Sequence, residues 1–93
     1  MLSQLLYFKV VAECGTISRA AKELHVTGPA ISIALSKLEN ELHANLFTRC
    51  GNRLVITETG KLFLNRVNQI FEELNTAAIE VKTIEEGTYS DAG

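Results

Sequence analysis

Gly15-Thr16-Ile17-Ser18-Arg19-Ala20-Ala21-Lys22-Glu23-Leu24-His25-Val26-Thr27-Gly28-Pro29-Ala30-Ile31-Ser32 is the stretch on which the fold turns. It holds one short helix with both of its boundaries and the start of a second. Gly15 suits the left-handed position that closes a preceding helix. Thr16 and Ser18 are both N-cap candidates for a helix through Leu24. The alanines at 20 and 21 give that helix a thin face for close packing. Val26 is apolar within an otherwise polar turn, which predicts a plug in the angle between two helices. Thr27 can cap the next helix, and Pro29 falls in its first turn, where a missing N–H costs nothing.

Working outward, Ser3 can cap a first helix. In it Leu5, Phe8 and Ala12 share a face, with Leu6 and Val11 beside them. The helix begun at Pro29 should run to Leu42. Ala30, Ile31, Ala34, Leu35, Leu38 and Leu42 supply its buried side, and Ser32, Ser36, Lys37 and Glu39 lie largely away from it. Ile33 does not fit the buried pattern. The period then changes. Leu46-Phe47-Thr48-Arg49 and Leu54-Val55-Ile56-Thr57 are β-prone runs flanking Cys50-Gly51-Asn52-Arg53, which has the composition of a tight turn.

The last segment is long. Thr57 or Thr59 can cap it, and Glu58 suits the positive end of a helix. Phe63, Val67, Ile70, Leu74, Ala77, Val81 and Ile84 recur at alternating spacings of 4 and 3. A strict seam of this kind asks for a partner helix, most simply a second copy. Leu64, Phe71 and Ala78 widen the face. Phe63 and Val67, nearest the globular part, can instead pack on the chain's own core. Residues 85–93 read as the end of the helix and a tail.

These elements predict a mainly α fold: three helices, a short β-hairpin wing, then a long dimerising helix. The expected division is 1–57 for a winged helix-turn-helix, 58–86 for the long helix and 87–93 for a hinge or tail. In such a motif the second helix of the pair enters the major groove of DNA. Its exposed N-terminal residues should be small or polar. Thr27, Gly28, Pro29, Ser32 and Ser36 meet that need, and Lys37 can reach a phosphate. Ile33 either meets a thymine methyl or is an exposed side chain without a role. The wing offers Arg49, Asn52 and Arg53, and the preceding helix offers Ser18 and Arg19. Arg49 can instead pair with a carboxylate, and Arg19 can simply be solvated. His25 reads as a turn residue.

The ordered set of short runs resembles the N-terminal DNA-binding region of LysR-type transcriptional regulators. The runs are Leu5-Leu6-Tyr7-Phe8, Gly15 to Ala21, Leu24 to Thr27, Pro29 to Ser32, Leu38 to Leu42, Leu46 to Arg49 and Leu54 to Gly60. The resemblance covers roughly residues 2 to 86. It implies that the long helix is a linker helix pairing two protomers, with a tetramer open to the complete protein. It also implies a small-molecule effector acting through a C-terminal domain that has no counterpart in these 93 residues. Family members often carry Gln where this chain has Gly28, and Arg, Lys or Gln around Ile33 and Ala34. A consensus target sequence is therefore not transferable.

Composition narrows the class. The chain has 93 residues, 46% of them hydrophobic and 22% charged, as in an ordinary globular domain. No apolar run approaches the roughly 20 residues that span a bilayer, and the N-terminus does not read as a signal peptide. Cys14 and Cys50, with His25 and His43, lack metal-ligand spacing; two reduced thiols in a cytoplasmic protein are expected. There is no nucleophile–base set and no phosphate loop, so neither an enzyme nor a cofactor is expected.

The net charge of −2 sits awkwardly with nucleic acid and keeps a second class open, a helical protein-interaction module. The distribution answers part of this. Residues 1–60 carry six Lys and Arg against five Glu, and residues 61–93 carry three against six acidic residues. The acidity belongs to the distal helix.

Overall fold

A computed structural model describes the backbone of residues 1–92 and the side chains of residues 1–87. Three helices come first: α1 (Leu2–Cys14), α2 (Ile17–Leu24) and α3 (Gly28–Leu42). Two antiparallel strands follow, β1 (Phe47–Cys50) and β2 (Arg53–Ile56), and then α4 (Glu58–Ala92). The expected winged helix-turn-helix with a long terminal helix is present.

The local signals act as anticipated at most helix ends. Gly15 closes α1 in the left-handed region at φ 81°, its N–H donating to the Val11 carbonyl. Thr16, not Ser18, caps α2: its hydroxyl oxygen accepts from the Arg19 N–H at 3.2 Å. Thr27 caps α3 by accepting from the Ala30 N–H at 3.3 Å. Thr57 caps α4 by accepting from the Gly60 N–H at 2.9 Å. Ser3 caps nothing, because α1 already begins at Leu2 with Met1 as its N-cap residue. The other two C-caps were not foreseen. His25 and His43 both hold the left-handed conformation, at φ 56° and 53°, where glycine or asparagine is usual.

Phe8 is the centre of the core. It is fully buried, with ring centroids 5.4 Å from both Phe47 of β1 and Phe63 of α4. Val11, Ala20, Ile31, Leu38, Leu46 and Val67 are also completely withdrawn from solvent. Two expectations for α3 fail. Leu42 is 38% exposed, because the helix ends there and the chain turns away at His43. Glu39 is half-buried and turned inward, where its carboxylate accepts from the N–H groups of Leu46 and Phe47 at 2.7 and 3.3 Å. It thereby anchors the wing's entry. Glu39→Ala should cost about 2 kcal/mol, the loss of hydrogen bonds to a charged group, while Glu39→Gln should retain part of that. Urea denaturation of the three proteins checks this.

Leu46 is the joint of the molecule. Its N–H is held by Glu39, and its carbonyl accepts from the Thr57 N–H at 2.9 Å and from the Thr57 hydroxyl at 3.2 Å. Gly60 packs directly on that same carbonyl. A second stitch fixes the wing from the other side: the Leu54 N–H donates to the Gly15 carbonyl at 3.1 Å.

The long helix departs from expectation at both ends. It runs on to Ala92, past the boundary placed at 86, so the tail begins as helix. Gly93, the last tail residue, lies outside the described residues. At the other end, Val67 is fully buried within one chain and cannot meet a partner. Phe63 and Phe71 are half-buried and pack against the same core. The reason is that α4 first lies against α1, an arrangement fixed by the Lys9 ammonium donating to the Asn68 side-chain oxygen at 3.0 Å. Only beyond that contact does the apolar stripe emerge. Ile70, Leu74, Val81 and Ile84 are 43–60% exposed, and Ala77 and Ala78 are exposed with them.

Candidate nucleic-acid interface

The wing is a two-residue hairpin. Cys50 pairs with Arg53, Arg49 with Leu54 and Phe47 with Ile56, leaving Gly51 and Asn52 as the turn. Gly51 has φ 62°, the positive value that the first central residue of a tight hairpin turn demands. Strand alternation then sorts the side chains. Phe47, Leu54 and Ile56 are half-buried on the inner face, and Arg49 shares that face. Thr48, Cys50, Arg53 and Val55 stand exposed on the outer one.

That sorting separates the two wing arginines. The bond from Leu54 to Gly15 draws the wing against the start of α2. Between them lies an open cleft of about 590 Å³, lined by Ser18, Arg19, Arg49 and Asn52 together with Thr16, Ile17, Gly51 and Leu54. A smaller recess of about 60 Å³ joins Arg49 to Ser32 and Ser36 of α3. Arg49 therefore sits where α2, α3 and the wing converge. Arg53 lines neither cavity. The structure thus brings together Ser18, Arg19, Ser32, Ser36, Arg49 and Asn52 from three elements.

The remaining predicted residues follow α3 itself. Thr27, Pro29, Ile33, Ser36 and Lys37 are exposed, and Gly28 and Ser32 are half-buried. The Gly28 backbone needs no glycine: a Cβ there would meet only Ile17 Cγ2 at 3.6 Å. The small residue leaves α3 bare at its N-terminal end without any steric demand from within.

The charges are also informative. Among the described residues, Lys9 pairs with Glu13 at 2.7 Å and Lys61 with Glu58 at 3.4 Å. Among the described residues, Arg19, Lys37, Arg49 and Arg53 make no ion pair. The carboxylate partner considered for Arg49 is not there. Four cations thus stand around α3 and the wing with their charge uncommitted. Cys14 and Cys50 are free thiols, and no cluster able to hold a metal occurs among the described residues.

The family model described as bacterial regulatory helix-turn-helix protein, lysR family, matches residues 2–61. This chain belongs to the LysR family. It is 35% identical over 81 residues to the uncharacterized HTH-type transcriptional regulator YybE of Bacillus subtilis, covering 87% of this chain and 28% of YybE. Two solved structures share its architecture. The CbnR_DBD-DNA complex matches with a TM-score of 0.85 and 31% identity, over 92% of this chain and 99% of that one. The BenM_DBD/catB site 1 DNA complex matches with a TM-score of 0.88 and 26% identity, over 94% and 97%.

Gly28 carries no side chain, and Ile33 places an apolar group 58% in solvent. Among described residues, no helix of this LysR-family chain is long and apolar enough to cross a membrane.

Proposed function

We propose that this LysR-family chain reads double-stranded DNA as a dimer, within a longer cytoplasmic transcriptional regulator. Residues 1–57 form the reading unit, with α3 in the major groove and the wing on the backbone or minor groove. Residues from 58 onward pair two protomers. The observation that carries this reading is the convergence on Arg49. Side chains from α2, α3 and the wing meet around it, and the cations there have no protein partner. The solved DNA complexes of CbnR and BenM domains, similar over nine-tenths of the chain, support the same reading.

Ser18, Arg19, Thr27, Gly28, Pro29, Ser32, Ile33, Ser36, Lys37, Arg49, Asn52 and Arg53 make up the proposed DNA face. Phosphate contacts set register and orientation, and the α3 side chains read bases. The seam proposed for pairing is Ile70, Leu74, Ala77, Ala78, Val81 and Ile84. A small-molecule effector would act on residues beyond these 93, and the chain itself catalyses nothing.

The test lies in the two wing arginines. Arg49→Ala should weaken binding to every duplex about equally and reduce the salt slope by about one unit per protomer. Arg53→Ala should do the same but lose less affinity, because it stands on the wing's outer face. Fluorescence anisotropy at several salt concentrations measures both. A change in base preference with no change in slope would show that the arginine concerned is not a phosphate contact.

A further inference from the structure

Ile33 is the least explained side chain on the reading face. Most other large exposed apolar residues have a location that accounts for them. Met1, Leu2 and Leu6 lie in the first turns of the chain, Leu42 at a helix end, and Ile70, Leu74, Val81 and Ile84 along the α4 stripe. Ile33 is instead in the middle of α3 and 58% exposed. One helical turn before it is Pro29, and one turn after it are Ser36 and Lys37, all exposed.

The polar resources of this face are few. The Thr27 hydroxyl oxygen is engaged with the Ala30 N–H, and Gly28 has no side chain. Besides the Lys37 ammonium, suited to a phosphate, that leaves the short hydroxyls of Ser32 and Ser36, with Ser32 half-buried. Around Ile33, α3 carries no amide or guanidinium side chain to pair bidentately with a base edge. The major groove does offer one apolar feature, the C5-methyl of thymine.

We infer that Ile33 is a specificity-determining residue of this chain, reading the C5-methyl group of a thymine in each half-site. This rests on the proposed insertion of α3 into the major groove. Ile33 supplies only apolar contact area, so it selects thymine over cytosine, whose C5 position is bare. The shallow β-branched side chain has little rotamer freedom to lose, which suits it to a fixed contact.

The experiment uses the 93-residue chain and a duplex obtained by selection from random sequence. Each thymine of the selected site is replaced in turn by deoxyuridine, which removes one methyl and keeps Watson–Crick pairing. At one position per half-site, the substitution should weaken binding about three- to fivefold, the effect of withdrawing one buried methyl group. Ile33→Ala should bind the thymine duplex more weakly and lose the thymine-over-uracil preference at that position alone. That loss of coupling separates a direct contact from a change in DNA shape. Sequence-specific binding with no uracil effect at any position would overturn the Ile33 assignment while leaving the DNA reading intact. An uracil effect equally large in Ile33→Ala would do so too. Failure of the chain to bind any duplex would overturn both.

Discussion

Gly60→Ala should destabilise the fold by about 3 kcal/mol, the upper range for overpacking a tight site. The added Cβ would clash with the Leu46 carbonyl oxygen and fall 2.6 Å from Ile56 Cγ1. The side chain of Ile56 can shift, but the carbonyl cannot move cheaply. It accepts from both the N–H and the hydroxyl of Thr57, and the Leu46 N–H is tied to Glu39. Alanine is the better helix former by about 1 kcal/mol, which offsets only part of the clash. For a domain of this size the melting temperature should drop by on the order of 10 °C or more. Gly28→Ala is the contrast. Its Cβ meets only an ordinary contact at 3.6 Å, so stability should hold or rise slightly. Thermal melts of the two variants decide the matter, and equal melting would contradict the packing described for Gly60.

Leu74→Asp should convert a dimer to a folded monomer. Leu74 is 46% exposed in the single chain and takes no part in its core. An open groove of about 620 Å³ runs beside it, lined by Arg66, Gln69, Ile70, Glu73 and Ala77. In a two-fold pair each substitution counts twice. Two buried leucines, at about 2 kcal/mol each, correspond to roughly a thousandfold in dissociation constant before the carboxylate desolvation is added. Sedimentation should therefore show a monomer with unchanged helix content. An unaltered dimer would refute the seam. Val67→Asp gives the opposite failure, since Val67 is fully buried in the chain's own core. It should unfold the domain rather than dissociate it.

These variants also mark where sequence periodicity stops being informative. The spacing from Phe63 to Ile84 locates an apolar stripe, but a stripe does not say what covers it. The first part is covered by α1, through Phe8 and the Lys9–Asn68 contact, and both lie more than fifty residues away in the chain. The helix starts were legible because Thr16, Thr27 and Thr57 act on backbone groups three residues away. The hairpin was legible because the turn-like run Cys50 to Arg53 separates two β-prone runs, but the strands take in Cys50 and Arg53, which pair, and leave out Leu46 and Thr57, which bond to each other at the base of the wing. Glu39 was misread as a surface residue because its partners, Leu46 and Phe47, are brought to it by the turn after α3. The constraint on Gly60 was hidden for the same reason, since it depends on a carbonyl fourteen residues earlier. His25 and His43 left only a weak signal, because histidine enters the left-handed region more often than most residues but far less often than glycine.

The proposed DNA face was partly legible. Residue types named Ser18, Arg19, Arg49 and Asn52, and the structure lines one cleft with all four. What the types did not show was that Arg49 faces the helices while Arg53 faces out. That distinction comes from strand alternation combined with the Leu54–Gly15 hydrogen bond.

The most direct test of the central claim is the salt dependence of duplex binding by the 93-residue chain. Arg19, Lys37, Arg49 and Arg53 are uncommitted on each protomer, and phosphate contacts release counterions at about 0.9 per contact. Two heads with three or four contacts each give a slope of log K against log salt of roughly −5 to −7. Affinity should fall linearly on that plot by roughly three to four orders of magnitude between about 50 and 200 mM salt. A flat dependence, or no duplex binding at the lowest salt, would contradict the account.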